Sequence, residues 1–350
     1  MKSYVVREFG GALAELESPT PVPTGTQVLV EVRHCGVCHS DVHLREGSFD
    51  LGGGKRLNSR LALPHVLGHE IEGMVVAAGP AAEAVTKGAR VAVFPWIGCG
   101  QCRACRRGEE NVCLGETRQL GCSSACPGGY ATHVLVPHPR YLLDYGRTDP
   151  ALAAACMCSG LTAYAALKKL APPDPSEHIL LIGCGGVGMM AVQFALALFG
   201  RAPLVADIDR GRLEAARAAG AAAGYDAADE ATPERIRAAT DGGPAAVVDF
   251  VGSEQTLALA TRVVSRGGRI VVVGLFGGTL RLPLPLIPLR ALSIVGSNTG
   301  SLSEAEEMMS LVRAGRVQPI PLERRPLSAA DDALRALERG AVTGRIVLVP

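Results

Sequence analysis

Short apolar runs separated by glycine and proline fill the first part of the chain. Val28–Val32, Gly73–Ala77 and Arg90–Phe94 are rich in β-branched or apolar residues, and apolar and polar residues alternate along Gly129–Val136. This spacing is typical of short β-strands. Many short strands with turn residues between them predict a partly closed β-barrel within residues 1–155.

The pattern changes near residue 156, where strand-like runs begin to alternate with alanine-rich helical stretches. The predicted strands are nearly unbroken apolar runs, at 178–182, 203–207, 246–251, 269–274 and 292–296. Such strands, alternating with helices, predict an α/β domain over 156–296 with a doubly wound parallel sheet covered on both faces. A rigid loop is predicted at Pro172–Pro175, just before the first of these strands.

The last part of the chain, 297–350, is predicted to return to the first domain. It contains a predicted helix at 303–313 and a predicted strand at 344–349. A chain of 350 residues is too long for one typical core, which agrees with two domains.

Composition narrows the function further. The net charge of +1 gives no reason to expect a nucleic-acid or membrane partner. An odd count of eleven cysteines, several at metal-like spacing, favours a reducing compartment, and we expect a cytoplasmic protein. Met1–Val5 lacks a signal-type apolar core, and the apolar run 189–199 is too short to span a bilayer.

Four closely spaced cysteines predict a structural zinc site. They are Cys99, Cys102, Cys105 and Cys113. Two-residue gaps let backbone turns direct neighbouring thiolates at one tetrahedral ion, and four thiolates leave no open position. Buried or disulfide-bonded cysteines are the alternative, but such short, regular gaps fit disulfide geometry poorly.

A glycine-rich turn between a predicted strand and a helix predicts a dinucleotide site. The turn residues are Gly183, Gly185, Gly186, Val187 and Gly188. Glycines there allow close approach of a pyrophosphate, and the helix N-terminus favours its charge. Asp207, at the end of the next strand, suits the ribose hydroxyls of NAD, whereas Arg210 and Arg212 suit the 2′-phosphate of NADP. We expect NAD.

A second set of metal-ligand residues is spread along the chain. Cys38, His69 and Cys158 provide two thiolates and one imidazole, the composition of a catalytic zinc site with one open position. Spacing alone does not join these residues, because they lie far apart in sequence.

The chain resembles the zinc-dependent medium-chain alcohol dehydrogenases over essentially its whole length. The shared motifs are Cys-Gly-Val-Cys-His-Ser-Asp-Val-His at 35–43, Gly-His-Glu at 68–70, the cysteine lobe at 99–113, Cys-Ser-Gly-Leu-Thr-Ala-Tyr at 158–164 and the glycine turn at 183–188. The resemblance implies a GroES-like β-barrel catalytic domain and a Rossmann domain, with the active site in the cleft between them.

The resemblance also assigns roles at the catalytic metal. It implies that Cys38, His69 and Cys158 are the zinc ligands and that Glu70 is a second-shell or transient ligand. Asp41 would orient the ligand histidine. Ser40 and His43 would form the proton relay from the alcohol.

Further residues match the family's cofactor and substrate contacts. His39 and Arg345 match phosphate-contacting positions, and Thr162 matches a residue that packs on the nicotinamide. Gly274 and Arg212 are assigned to the cofactor with the glycine turn and Asp207. Trp96 is expected to wall the substrate channel, although it is also a candidate for core filler.

Several alternatives stay open at this stage. His43 is also compatible with an ordinary surface histidine, and Cys156 competes with Cys158 as the ligand. The segment between Gly47 and Pro64 fits either a mobile lid or a solvated loop. Cys122 and Cys126 are close enough in sequence to pair, and oxidation sensitivity is a hypothesis for them.

Together these features predict an NAD-dependent zinc alcohol dehydrogenase with two zinc ions per chain. It would act reversibly on primary or secondary alcohols. A specialised polyol or other hydroxy-substrate dehydrogenase of the same superfamily is the alternative. Family behaviour implies a homo-oligomer, with a tetramer favoured over a dimer, associating through the strand at 292–297.

Overall fold

The computed structural model describes residues 1–170, 174 and 176–350. These residues form two compact units. The first comprises Met1–Ser48, Asn58–Leu161 and Gly300–Pro350, and the second comprises Phe49–Leu57 and Thr162–Thr299. The loop predicted at 172–175 falls outside the described residues, apart from Asp174.

The strands of the described residues are short, as the glycine and proline spacing predicts. In chain order they are β1 (Lys2–Val6), β2 (Ala14–Glu17), β3 (Val28–Gly36), β4 (Ser48–Gly52), β5 (Lys55–Asn58), β6 (His65–Val66), β7 (Glu70–Ala78), β8 (Arg90–Val93), β9 (His133–Val136), β10 (Leu142–Leu143), β11 (Ile179–Ile182), β12 (Leu204–Asp207), β13 (Ala223–Asp226), β14 (Ala246–Asp249), β15 (Arg269–Val272), β16 (Ser293–Gly296), β17 (Leu322–Pro326) and β18 (Arg345–Val349).

The helices lie mainly in the second half of the chain. They are α1 (His39–Glu46), α2 (Arg103–Arg106), α3 (Pro150–Ala155), α4 (Leu161–Lys168), α5 (Gly186–Phe199), α6 (Arg210–Ala218), α7 (Thr232–Ala239), α8 (Glu254–Val263), α9 (Leu286–Leu289), α10 (Leu302–Arg313) and α11 (Ala330–Glu338). A π-helical turn, Cys156–Gly160, lies between α3 and α4.

A seven-stranded mixed sheet forms the centre of the first unit. Its order is β10-β8-β7-β3-β18-β17, and β9 also pairs with β3. β3 and β7 are the longest strands, and their pairing is interrupted by bulges between Leu29 and Val30 and between Val32 and His34. Bulges bend and twist a sheet, which is how a small sheet curls on itself. A separate sheet has the order β2-β1-β6.

The second unit contains a six-stranded parallel sheet. Its order is β13-β12-β11-β14-β15-β16, and every neighbouring pair is parallel. This is the 3-2-1-4-5-6 order of doubly wound dinucleotide-binding sheets. The middle strands β11, β12 and β14 are buried along their whole length, which explains their unbroken apolar sequences.

The first unit extends to Leu161, because the π-helical turn that follows α3 contacts β7 and α10 of the same unit. Most of the hairpin β4–β5, residues Phe49–Leu57, belongs to the second unit. A Cβ added to Gly52 would lie 2.3 Å from the carbonyl oxygen of Gly278, so this turn packs directly on the loop after β15.

One helical run within the described residues is long and apolar enough to cross a membrane by length and composition. It is Pro150–Lys168, with 19 residues and a mean hydropathy of 1.4, and 94% of it is buried inside the protein. Our sequence analysis did not single it out. The core helix of a folded protein passes the same test, so this finding is weak evidence for a membrane span.

Candidate metal centres and cofactor cradle

Four buried side chains from three separate parts of the first unit meet at one point. Each offers one ligand atom, and these atoms all lie within 4.8 Å of one another; the residues are Cys38, His69, Glu70 and Cys158. The Sγ atoms of Cys38 and Cys158 are 3.9 Å apart. The fold therefore brings together the three ligands and the glutamate that the resemblance implied.

These residues stand where regular elements begin or are interrupted. Cys38 is the N-cap of α1, and Glu70 is the first residue of β7. Cys158 lies inside the π-helical turn. Since a π-turn holds one residue more than an α-turn, it changes which side chain faces a neighbouring element. Among the described residues Cys158, rather than Cys156, belongs to the cluster.

His69 is held with one ring nitrogen directed at a carboxylate. Its Nδ1 lies 3.1 Å from Oδ1 of Asp41, and both side chains are completely buried. A carboxylate accepts hydrogen bonds only, so Nδ1 carries the proton and Nε2 keeps its lone pair. His69 Nε2 is buried, and none of the residues that the structure describes forms a hydrogen bond with it.

The unpartnered Nε2 atom of His69 is evidence that this cluster suits a metal. A buried polar atom without a partner is costly, and a metal ion would satisfy it. Zinc prefers tetrahedral nitrogen and sulfur ligands, and a catalytic zinc keeps one position open beside three protein ligands. Two cysteine sulfurs and one imidazole nitrogen therefore fit zinc.

Asp41 accepts hydrogen bonds on both carboxylate oxygens. Oδ1 accepts from Nδ1 of His69 and from the backbone N–H of Gly68 at 3.3 Å. Oδ2 accepts from the backbone N–H of Cys38 at 3.0 Å and from the hydroxyl of Tyr130 at 2.9 Å. Our sequence analysis missed Tyr130; its position after the two glycines of the Gly-Gly-Tyr turn was the available signal.

Glu70 pairs with Arg345 instead of standing alone beside the thiols. Nε of Arg345 donates to Oε2 of Glu70 at 2.9 Å, and Nη2 donates to Oε1. The backbone N–H of Ser159 also donates to Oε1 at 3.2 Å. Burial raises the pKa of the Glu70 carboxyl, and the Arg345 charge opposes that rise.

The thiol of Cys38 is readily deprotonated beside the thiol of Cys158. A hydrogen bond from the Cys158 thiol lowers the pKa of Cys38 well below its ordinary value, and the charge of Arg345 helps. Thiolate is the form that binds metal. In contrast, burial and the Glu70 charge raise the pKa of the Cys156 thiol, which suits a packing residue.

Helix α1 carries the predicted relay residues. His39 is exposed, whereas Ser40 and His43 are half-buried. Burial lowers the pKa of His43 below its ordinary value.

Trp96 packs beside His69, with 5.2 Å between the two ring centroids. Its indole N–H donates to the carbonyl oxygen of Met157 at 3.0 Å. Trp96 is thus a buried neighbour of the metal ligand.

The four-cysteine lobe forms a second compact cluster. The ligand atoms of Cys99, Cys102, Cys105 and Cys113 lie within 4.8 Å of one another. Backbone N–H groups point at the sulfurs: Cys105 and Leu114 donate to Cys102 at 3.5 and 3.4 Å. These two donors lower the pKa of Cys102 to about 6. Four sulfurs around one point, with the Cys102 thiolate stabilised by backbone donors, fit a tetrahedral zinc.

Glu110 connects this lobe to the rest of the first unit. Its buried carboxylate accepts from the backbone N–H of Gly98 at 2.9 Å, from the hydroxyl of Tyr141 at 2.9 Å and from Arg140 at 2.8 Å. Glu110 was not predicted from the sequence, because two of its partners, Arg140 and Tyr141, lie about 30 positions further along the chain.

The glycine turn of the second unit joins β11 to α5. Gly183 has a φ of +92°, and a Cβ on Gly188 would lie 1.8 Å from the Gly183 carbonyl oxygen, so the turn accepts no side chain there. Gly185 is the N-cap of α5, and no side chain caps this helix. Such an N-terminus favours an anion.

Asp207 ends β12 beside this turn. Its Oδ2 accepts from the backbone N–H of Cys184 at 2.6 Å, and its Oδ1 accepts from the backbone N–H of Asp209 at 2.9 Å. These bonds fix the carboxylate at the C-terminal edge of the sheet, where doubly wound sheets bind their ligands. Asp209 is the N-cap of α6 and accepts from the backbone N–H of Arg212 at 2.9 Å.

Two buried hydroxyls near the same edge were missed by our sequence analysis. Ser297 and Thr299 follow β16, and their buried side-chain oxygens find no hydrogen-bond partner in the described part of the chain. Thr299 has a φ of +45°, unusual for a β-branched residue. Only the three-dimensional placement identifies them as candidate ligand contacts.

Cys122 lies beside the metal centre, whereas its relation to Cys126 stays a hypothesis. The Cys122 sulfur is 3.5 Å from Nδ1 of His69. Both cysteines are free thiols in the structure. Burial raises the pKa of the Cys126 thiol, which lowers its reactivity.

Comparison with known proteins agrees with the family resemblance that the sequence motifs indicate. The model of the alcohol dehydrogenase GroES-like domain matches residues 24–144, and that of the zinc-binding dehydrogenase domain matches residues 186–314. A protein of Sulfurisphaera tokodaii named NAD-dependent alcohol dehydrogenase is 41% identical over the whole length of both chains. This chain belongs to the zinc-dependent medium-chain dehydrogenase/reductase family.

Other members agree with this placement. An NAD-dependent alcohol dehydrogenase of Saccharolobus solfataricus is 39% identical over both whole chains. The crystal structure of the alcohol dehydrogenase of Aeropyrum pernix is 29% identical, covers 100% of both chains and superposes with a TM-score of 0.89. The expected fold class of this medium-chain dehydrogenase, a GroES-like domain with a Rossmann sheet, is confirmed.

Proposed function

We propose that this medium-chain dehydrogenase is an NAD-dependent zinc alcohol dehydrogenase that converts primary or secondary alcohols reversibly to aldehydes or ketones. The observation that carries the proposal is the buried cluster in which His69 presents an unpartnered Nε2 beside the thiols of Cys38 and Cys158. A site with three ligands and an open position serves catalysis, whereas a closed four-ligand site serves structure.

Each residue of the cluster has a distinct task. A zinc ion held by Cys38, His69 and Cys158 supplies Lewis-acid chemistry to an alcohol oxygen. Asp41 keeps the His69 ring in the ligating tautomer. Glu70 stands within the same cluster and pairs with Arg345, so it lies behind the three ligands and can approach the metal transiently.

Residues of α1 carry the alcohol proton away. The Ser40 hydroxyl can accept and pass on a proton, and His43 delivers it to solvent. Burial lowers the pKa of His43, so its ring is neutral and able to accept a proton at pH 7.

The second unit binds NAD in preference to NADP. NAD accepts the hydride when bound. A fixed Asp207 carboxylate accepts ribose hydroxyls and repels a 2′-phosphate. The residues assigned to the cofactor are His39, Thr162, Gly183, Gly185, Gly186, Val187, Gly188, Asp207, Arg212, Gly274 and Arg345. Arg345 contacts a cofactor phosphate while it remains hydrogen-bonded to Glu70.

Trp96 walls the substrate channel beside His69. The chain has few aromatic residues, only 4% of its length, so aliphatic side chains line most of the channel. This favours longer aliphatic or aryl-substituted alcohols. The catalytic efficiency with hexanol should exceed that with ethanol, and a preference for ethanol contradicts this part of the proposal.

The two clusters support a content of two zinc ions per chain. Cys38→Ser should remove the catalytic zinc and Cys102→Ser the structural one, each measured by elemental analysis of the purified protein. Equal zinc content in Cys38→Ser and the unchanged protein contradicts a metal at the catalytic cluster.

The protein assembles as a homo-oligomer through the edge strand β16, with a tetramer favoured. β16 pairs on one side with β15 and ends the sheet on its other side. Exposed apolar side chains lie on β16 and in the segment that precedes it: Leu275, Phe276, Leu284, Leu289 and Ile294. Unpaired edges with apolar surroundings invite pairing. Light scattering gives the mass directly. An odd count of eleven cysteines, six of them in the two candidate metal clusters, supports a cytoplasmic location.

The decisive experiment is the initial rate of NADH formation with a panel of primary, secondary and aromatic alcohols, with NADP in parallel. Turnover with NAD supports the proposal. No turnover with any alcohol, in protein shown to hold two zinc ions, contradicts it and favours a more specialised hydroxy substrate.

A further inference from the structure

Tyr130 is completely buried and takes part in none of the steps assigned above. Its hydroxyl donates to Oδ2 of Asp41 at 2.9 Å, while Oδ1 of the same carboxylate holds Nδ1 of His69 at 3.1 Å. The three side chains therefore form a chain of hydrogen bonds that leads to the ligating ring.

The backbone around Tyr130 is attached to the segment that carries His69. The N–H groups of Gly128, Gly129 and Tyr130 donate to the carbonyl oxygens of Val66, Gly68 and Leu67 at 2.8, 2.7 and 2.9 Å. A Cβ on Gly68 would lie 2.4 Å from the Tyr130 ring, so the ring packs against the residue preceding His69. Tyr130 and His69 thus keep a fixed relation.

The Asp41 carboxylate uses about four acceptor positions, which is its full capacity. Two donors are backbone groups, Cys38 N–H and Gly68 N–H, and two are side chains, His69 and Tyr130. Losing the Tyr130 hydroxyl leaves Oδ2 with the Cys38 N–H alone. A buried carboxylate lacking a donor turns toward another one, and the His69 bond is the one at risk.

We propose that Tyr130 is a positioning residue for the catalytic metal: its hydroxyl fixes the Asp41 carboxylate so that His69 keeps Nε2 directed at zinc. This inference rests on the proposed zinc at Cys38, His69 and Cys158. Burial and the Asp41 charge raise the pKa of Tyr130 well above its ordinary value, so the hydroxyl remains a donor throughout the neutral range.

The test compares Tyr130→Phe with Tyr145→Phe in the zinc-loaded protein. Tyr145 is an equally buried tyrosine whose hydroxyl donates at 2.5 Å to a different buried carboxylate, that of Glu72. The measured quantity is the rate of zinc release to a colorimetric chelator. Cys38→Ser identifies the release phase of the catalytic centre, because that variant lacks it.

Tyr130→Phe should release the catalytic zinc about 10-fold faster or more, as is typical for loss of a group that orients a ligand. Tyr145→Phe should release it at the original rate, and the phase of the four-cysteine lobe should stay unchanged in both variants. The inference is overturned if Tyr130→Phe releases zinc at the original rate, if both variants accelerate equally, or if the lobe phase accelerates too.

The readout separates this inference from the proposed function. Zinc release is measured without alcohol or NAD, so absence of alcohol turnover leaves the result interpretable. If Cys38→Ser has the same zinc content as the unchanged protein, the metal centre and this inference both fail. If zinc is present and Tyr130→Phe behaves like Tyr145→Phe, only the positioning role fails.

Discussion

Arg345 and Glu70, 275 positions apart in sequence, form a buried ion pair with two hydrogen bonds. Glu70 begins β7 and Arg345 begins β18, and both side chains are at least 95% buried. This pair neutralises a carboxylate that would otherwise lie uncompensated beside two thiols. It also means that any phosphate bound by Arg345 shares the guanidinium with Glu70.

Replacing Arg345 should destabilise the protein strongly. Arg345→Gln removes the charge that opposes the burial-induced rise in the Glu70 pKa, so a buried carboxyl loses its partner. Breaking such a pair costs about 3–5 kcal/mol. The matched control is Arg324→Gln, which breaks an exposed pair with Asp149 and should cost at most about 1 kcal/mol. Denaturant midpoints of the two variants check this, and similar losses contradict it.

Asp207 should determine the choice between NAD and NADP. Asp207→Ser removes the carboxylate that we propose accepts the ribose hydroxyls and repels a 2′-phosphate, so efficiency with NAD should fall about 10-fold or more. Efficiency with NADP should rise, because Arg210 and Arg212 lie nearby in the chain. Steady-state kinetics with both cofactors measures kcat/KM. Asp226→Asn, at the end of neighbouring β13, is the control and should leave the ratio unchanged.

Local sequence patterns account for most of the second unit and for the four-cysteine lobe, whereas the family resemblance alone joined Cys38, His69 and Cys158. Buried strands such as β11 and β14 are unbroken apolar runs, and the spacing at 99–113 reflects local turn geometry. The four-residue strand β13 has the sequence Ala-Gly-Tyr-Asp. It was not predicted, because glycine and aspartate are uncommon within strands.

The parts of the candidate site that could not be predicted depend on long-range contacts. Tyr130 and Asp41 are 89 positions apart, and nothing local pairs them. The family resemblance selected Cys158 over Cys156, and the π-helical turn that places Cys158 in the cluster has no reliable sequence signal of its own. The hairpin β4–β5 likewise depends on packing against Gly278, while its exposed residues carry a polar, loop-like sequence.

Removing His43 should slow proton release in a pH-dependent way. Because burial lowers the pKa of His43, the ring is neutral above pH 6.5 and takes up a proton only in more acidic solution. As the pH rises and His43 loses its proton, kcat should increase, and this increase should occur below pH 6.5. His43→Gln should lower kcat at pH 7 about 100-fold.

The pH dependence of this deficit distinguishes a relay from a structural role. Without the imidazole, protons pass to hydroxide, so the deficit of His43→Gln should narrow as the pH rises. The exposed His138 provides the control, and His138→Gln should retain the original profile. A deficit of His43→Gln that is constant from pH 6 to pH 9 contradicts the relay assignment.

Glu110 should anchor the four-cysteine lobe, and its neighbour provides the comparison. Glu110→Ala leaves the Gly98 N–H and the Tyr141 hydroxyl without their buried acceptor. We expect a loss of about 1–3 kcal/mol in the free energy of unfolding and faster labelling of the lobe cysteines by a maleimide. Glu109→Ala removes an exposed carboxylate that pairs with exposed Arg107, and should change stability by less than about 0.5 kcal/mol. Equal labelling rates in the two variants contradict the anchoring role, because both remove one acidic residue from the same lobe and differ in what the carboxylate contacts.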